Sequence, residues 1–133
     1  MRMKPVCENQ TSVSRPVCLG QSAQPRKQSP PDGTGEKALT DDTAWVQWGP
    51  YWHPDNRHII YAAADHATGG RPNYDLYWMD VETGAKERIT HAPGADVLPV
   101  FSPDAKQLMW TSNRDGRQPS QLWIADFITP KKP

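Results

Sequence analysis

Four histidines, His53, His58, His66 and His91, are the side chains best suited to hold a transition metal, and carboxylates, serines and two cysteines could carry acid, base or nucleophile chemistry. The histidines form no H-E-x-x-H helix motif, and their spacings fit no metal template. Asp55, Asp80, Asp104 and Asp126 have the chemistry of acid/base pairs or calcium ligands. Each nevertheless stands at a turn or strand end, where an Asp carboxylate accepts hydrogen bonds from nearby amides, and no EF-hand-type loop is present. A serine hydrolase needs its nucleophile on a G-x-S-x-G elbow, but Gly20-Gln21-Ser22 runs on into Ala23-Gln24. Cys7 and Cys18 are the only cysteines, giving neither a disulfide framework nor a paired Cys/His zinc signature. No catalytic residue, cofactor site or metal site is therefore expected, and the chain reads as a non-enzyme.

Composition restricts the remaining classes. The 133 residues carry 15 Lys+Arg against 15 Asp+Glu, without the excess of cations that a nucleic-acid binder or polybasic membrane protein needs. Apolar runs such as Ile59 to Ala64 fall far short of the roughly 18 to 20 residues that span a bilayer, so no membrane insertion is expected. Residues 1–34 hold no Trp, Tyr, Phe or Ile but include Pro5, Pro16, Pro25, Pro30 and Pro31. Such a stretch cannot bury enough apolar area to offset the entropy of ordering it, and disorder is expected. Val6 is followed at once by Cys7, Glu8, Asn9 and Gln10, so no secretory h-region is visible and a chain starting at Met1 is expected to stay cytoplasmic.

From Trp45 onward the pattern changes to short clusters rich in aromatic and β-branched residues: His58–Ala62, Tyr74–Met79, Leu98–Phe101, Gln107–Thr111 and Gln121–Ala125. Between them lie Pro54-Asp55-Asn56, Thr68-Gly69-Gly70-Arg71-Pro72, Glu82-Thr83-Gly84, Pro103-Asp104-Ala105 and Arg114-Asp115-Gly116. Pro presets φ, Asx side chains bond local amides and Gly or Asn accepts positive φ, so these are hairpin turns in an all-β fold.

The clusters repeat. Gly49-Pro50-Tyr51-Trp52-His53-Pro54-Asp55 and the following strand His58–Tyr61 match Leu98-Pro99-Val100-Phe101-Ser102-Pro103-Asp104 and Gln107–Trp110 at an offset of 49. Asp75–Asp80 matches Gln121–Asp126 at an offset of 46, and Lys86-Glu87-Arg88-Ile89-Thr90 matches Glu36-Lys37-Ala38-Leu39-Thr40 at an offset of 50. A period of about 40 to 50 residues with several strands per copy marks a propeller blade. The expected domains are 1–34 disordered, 35–127 repeats and 128–133 tail. The repeats divide into copies at about 41–90 and 91–127, preceded by the closing strand of an earlier blade at 35–40. One complete blade and two incomplete ones make a partial β-propeller.

Trp52-His53-Pro54-Asp55 and Phe101-Ser102-Pro103-Asp104, with the downstream strands, Ile89-Thr90 and Ser112–Gly116, resemble the WD40-like Pro-Asp repeats of TolB-type β-propellers. The resemblance covers residues 35–127, about 70% of the chain. It implies a periplasmic, envelope-associated propeller that binds a protein partner, as in the Tol-Pal system. Similar propellers also precede prolyl-oligopeptidase-type serine hydrolase domains, so the alternative is a piece of such a peptidase lacking its hydrolase domain. The family usually has Gly after Pro-Asp, where Asn56 tolerates positive φ and Ala105 is expected to cost about 1 kcal/mol.

Trp52, Pro54, Asp55, Phe101, Pro103 and Asp104 are thus read as the structural repeat motif, and Trp52, Trp78, Trp110 and Trp123 as packing between blades. Trp45, Trp48, His66 and Arg71 are the candidate partner contacts, the last two within the loop 64–73, three residues longer than its counterpart in the second copy. An incomplete propeller is expected to expose apolar surface on both outer faces and a free edge at Gln121–Phe127. The partner would be an envelope protein or the missing blades, with self-association as a further expectation; the chain is then the C-terminal remnant of a longer propeller.

Overall fold

The computed structural model describes residues 33–116 and 119–131. The expected disorder of residues 1–34 falls almost wholly outside the described residues, as do Cys7, Cys18 and the last two residues of the tail. The chain divides into two units, Met1–Glu36 and Lys37–Pro133. All seven strands lie in the second.

Two antiparallel sheets form two successive blades. The first contains β1 (Trp45–Trp52), β2 (His58–Asp65), β3 (Asp75–Asp80) and β4 (Lys86–Arg88), in sequential order. The second contains β5 (Asp96–Phe101), β6 (Gln107–Ser112) and β7 (Gln121–Asp126), also in order. A single 3₁₀ turn at Arg114–Gly116 is the one helical element among the described residues. The fold is therefore an all-β partial propeller.

Residues 36–40 differ from the sequence expectation, since they form no strand. A closing strand is held by the third strand of its own blade, as β4 is held by β3 through Tyr77↔Arg88, Trp78↔Glu87 and Met79↔Lys86. Among the described residues no third strand stands beside 36–40. Leu39 and Thr40 instead line a cleft with Ile59, Tyr61 and Met79, as Ile89 and Thr90 line one with their counterparts Leu108, Trp110 and Ala125. The chain thus enters both blades in the same way.

The repeat extends to backbone irregularities. Both β1 and β5 break register at equivalent points, between Trp48 and Tyr51 and between Val97 and Val100. Gly49 and Leu98 both take positive φ there, at 63° and 54°. Glycine adopts that conformation freely, whereas Leu98 carries the strain of a Cβ. After Pro-Asp, Asn56 and Ala105 share a φ of 59°, the left-handed position anticipated from the sequence.

The main core lies between the blades. Ile60, Ala62, Leu76 and Trp78 on one face of the first sheet pack against Phe101, Leu108 and Trp110 of the second. Burial of this many large apolar side chains on a two-sheet interface is the principal hydrophobic stabilisation. A second cluster, Ile59, Tyr61, Ala63 and Met79, occupies the opposite face of the first blade, sheltered by Trp45, Tyr77 and Val81.

Candidate interaction surface

Cross-strand register determines which side chains share a face. In the second blade Val100 pairs with Met109, Met109 with Ile124, and Thr111 with Leu122. These residues form the face turned away from the first blade, and it is open: Leu122 is 74% exposed, Ile124 59% and Met109 38%. Leu98 and Val100 are exposed as well. Several large apolar groups side by side on one sheet face make the kind of patch that marks an interaction surface.

The outer strand adds backbone chemistry. β7 pairs with β6 from Gln107↔Asp126 to Ser112↔Gln121, and among the described residues nothing pairs with its other edge. An unpaired edge presents a row of N–H and C=O groups that accepts a further strand. The corresponding edge of β3 carries β4, and it is reinforced where the Leu76 N–H donates to Thr90 Oγ1 at 2.9 Å and the Ile89 N–H donates to the Leu76 carbonyl at 2.7 Å.

Of the two outer faces expected to be open, that of the first blade is largely closed. Ile59, Tyr61 and Met79 on the outer face of the first blade are buried, because Trp45 packs edge-on to Tyr77 at 5.7 Å and Leu39 and Thr40 lie above. Burial there pushes the Tyr61 hydroxyl up to about 12. Trp52 is the exception, 55% exposed, although its repeat counterpart Phe101 is buried. Packing between blades was expected of Trp52; no blade stands against its face among the described residues. Trp78 and Trp110 are buried in the interface, and Trp123 is half-buried beneath Arg114, whose guanidinium lies 4.6 Å from its ring.

The candidate contact residues separate into two places. Trp48 and His66 converge on Tyr74: Trp48 is edge-on at 6.1 Å, and His66 Nε2 lies 2.8 Å from the Tyr74 hydroxyl. Arg71 is exposed in the intervening loop, and Trp45 is half-buried on Tyr77, away from that cluster. Sequence reading missed Tyr74, which is one residue before a strand and centres the group.

The Asp residues act on local amides. Asp55 Oδ1 accepts from the Arg57 and His58 N–H groups at 2.9 and 3.0 Å, and Asp104 Oδ1 accepts from the Lys106 N–H at 3.1 Å. Burial alone would raise the Asp55 carboxyl, but those amides and the imidazoles of His58 and His53 outweigh it and hold the group down at about 2. The Ser102 hydroxyl and the Lys106 amide lower Asp104 too. Arg57 donates to Asp80 Oδ2 from Nε at 2.9 Å, tying the first turn to the third strand and holding Asp80 far below the usual carboxylate range. His53 sits among Trp78, Phe101 and Phe127 with ring centroids at 5.0, 4.9 and 6.2 Å, and its Nδ1 accepts from the Asp55 N–H at 3.3 Å. It is a packing residue at the blade interface.

Two ion pairs to buried carboxylates were not foreseen. Arg114 Nη2 donates to Asp96 Oδ2 at 3.0 Å, with the Trp110 indole N–H on the other oxygen at 3.3 Å. Arg88 Nη2 donates to Asp75 Oδ2 at 2.7 Å; burial raises the Asp75 carboxyl, opposed by Arg88 and Asn73. No group of three or more His, Cys, Asp or Glu placed to hold a metal occurs among the described residues. None of their helices is long and apolar enough to cross a membrane.

Comparison with known proteins places this architecture. The chain superposes on TolB from Acinetobacter baumannii with a TM-score of 0.55 and 26% identity, covering 70% of this chain and 21% of that one. It is 28% identical over 80 residues to the Tol-Pal system protein TolB of Francisella tularensis subsp. holarctica, covering 60% of this chain and 17% of that protein. Over its strands the chain is similar to the propeller repeats of TolB proteins. A relative of another kind is dipeptidyl-peptidase 5 of Porphyromonas gingivalis, 34% identical over 88 residues, covering 61% of this chain and 13% of that protein. No family model matches the chain. This TolB-like chain spans about a quarter or less of the length of the curated relatives it matches.

Proposed function

We propose that these TolB-like blades are a non-catalytic protein-interaction module of the cell envelope, acting in the periplasm through the open face of the second blade. The observation that carries this reading is the exposure of Val100, Met109, Leu122 and Ile124 together on one sheet face beside a free strand edge. The name of one relative, a Tol-Pal system protein, supports the envelope setting. The remnant of a longer propeller is part of the same proposal, since relatives extend well beyond the matched segment. A photo-cross-linking residue placed at Ile124 in producing cells tests it, with Glu82, an exposed polar position, as control. A discrete protein adduct formed from position 124 and not from 82 is the expected result. Equal or absent labelling at the two positions overturns the reading.

A second reading is favoured by the similarity to dipeptidyl-peptidase 5, in which the same blades would belong to the propeller of a serine peptidase. Adjoining coding sequence that carries a G-x-S-x-G domain would decide for it.

A further inference from the structure

We infer that the open end of the second blade receives the first blade of another copy of this chain, head to tail, with residues 36–40 of that copy completing the second sheet. The inference rests on the reading of the open face as a protein-contact surface and identifies its occupant.

The chain contains its own precedent for the contact. Ile60, Leu76 and Trp78 are covered by Phe101, Leu108 and Trp110 of the next blade. Their repeat counterparts are Met109, Leu122 and Ile124, which are uncovered. The counterparts of the covering residues Phe101, Leu108 and Trp110 are Trp52, Ile59 and Tyr61, all on the outer face of the first blade. Ile59 and Tyr61 are already buried within their own copy, so a second copy offers Trp52, above them, to Met109, Leu122 and Ile124 in the geometry that already joins the two blades. Trp52 is the largest exposed group on that face, and the contact buries it as Phe101 is buried.

Backbone chemistry leads to the same occupant. β7 has an edge without a strand, and Glu36-Lys37-Ala38-Leu39-Thr40 is a closing-strand sequence without a sheet among the described residues. Transfer of the β3–β4 register gives Trp123↔Ala38, Ile124↔Lys37 and Ala125↔Glu36 between copies. The bond from the Leu76 N–H to Thr90 Oγ1 becomes one from the Leu122 N–H to Thr40 Oγ1. Charge is matched too. Gln121 and Ala38 stand where the first blade has the Asp75–Arg88 pair, so pairing leaves no buried charge there without its partner. Leu39 and Thr40 already lie over Ile59, Tyr61 and Met79 as Ile89 and Thr90 lie over the second blade, so the donated strand leaves the partner's first blade in the required place.

Head-to-tail contacts close into rings when the rotation per copy divides the circle. Propellers contain about four to eight blades, so two blades per chain close with about two to four copies. The strand given by one copy completes the second blade of the next, and every free edge disappears.

The test uses the full chain with Cys7→Ser and Cys18→Ser, in two versions of different mass, one carrying Lys37→Cys and the other Ile124→Cys. Mixing them under oxidation is expected to give the mixed disulfide in native buffer and not in urea, with neither version linking to itself. Light scattering on the unaltered chain should show a discrete species of two to four copies. Its formation should shift tryptophan emission to the blue, a shift lost in Trp52→Phe. Ile124→Asp, at an exposed site, should yield a monomer with unchanged far-UV dichroism. A monomer at all concentrations, self-linking of either single version, or an oligomer that persists in Ile124→Asp without the mixed disulfide overturns the inference. An adduct to a different protein at position 124, with no mixed disulfide, would overturn this inference and leave the interaction reading standing.

Discussion

Ile60 and Trp78 in the first blade are buried beneath Phe101, Leu108 and Trp110, whereas Met109 and Ile124, at the same positions of the second blade, face solvent. The two sets lie on strands of the same pattern and register, so local sequence does not separate them. What separates them is the neighbour. A blade has no stable inside of its own, and its faces become core only where another blade covers them. The blades differ in a second way. The second holds its inner strand to the following turn with Asp96, Arg114 and Trp110, while the matching positions of the first are Gln47, Asp65 and Tyr61, beside the close-packed Ala62-Ala63-Ala64. The Asp96 network of the second blade has no counterpart at these positions of the first, where contact is apolar and Gln47 Oε1 is left without a partner.

The strongest way to break this comparison is to truncate equivalent residues. Trp78→Ala should cost about 3 to 5 kcal/mol in urea unfolding, while Ile124→Ala should stay within about 0.5 kcal/mol for the monomer. Equal losses would show that the second face is covered after all. Next in size is the polar network: Arg114→Met leaves Asp96 buried and unpaired, at a cost of about 3 kcal/mol, and adding Asp96→Asn should recover much of it. The same experiment on Arg88, twice as exposed, should cost less.

The turns give smaller effects of opposite sign. Ala105→Gly removes a Cβ from a left-handed position and should stabilise by about 1 kcal/mol, whereas Asn56→Ala at the equivalent position should destabilise by about as much. Thermal unfolding of the two variants reads both signs. Smallest is an acid effect confined to the first turn. The Asp55 carboxyl lies at about 2 in the folded chain against an ordinary 3.8, so its contribution is complete above about pH 4 and is lost as pH falls through 2. Asp55→Asn should reduce the slope of the pH–stability profile between about pH 4 and 2, where Asp80 and Asp104 still contribute, and leave the slope above pH 5 unchanged.

Much of the fold was legible because turn chemistry is local. Pro-Asp followed by a positive-φ residue, and alternation over five or six positions, determine a hairpin without knowledge of anything distant. The offsets of 49 and 46 then marked Trp78 and Trp110 as packing between blades through the repeat rather than through composition. The strand expected at 36–40 failed because pairing is not a property of the segment that pairs. Asp96–Arg114 stayed hidden for a related reason: the partners are 18 residues apart and meet only after β5 and β6 have aligned.

The candidate surface was legible in outline and wrong in one half. Strand alternation identifies which residues share a face, and the count of blades implies uncovered faces. It does not say that Trp45, Tyr77, Leu39 and Thr40 close over the first blade, since those contacts depend on side chains from three separate segments. By itself the sequence determined the all-β class, the turns, the strand faces and the two-blade repeat, all of them consequences of backbone preference and two-residue periodicity. Only the tertiary structure decided which face is buried, which tryptophan is exposed and which edge is free, because burial is a relation between surfaces that no single stretch of chain contains.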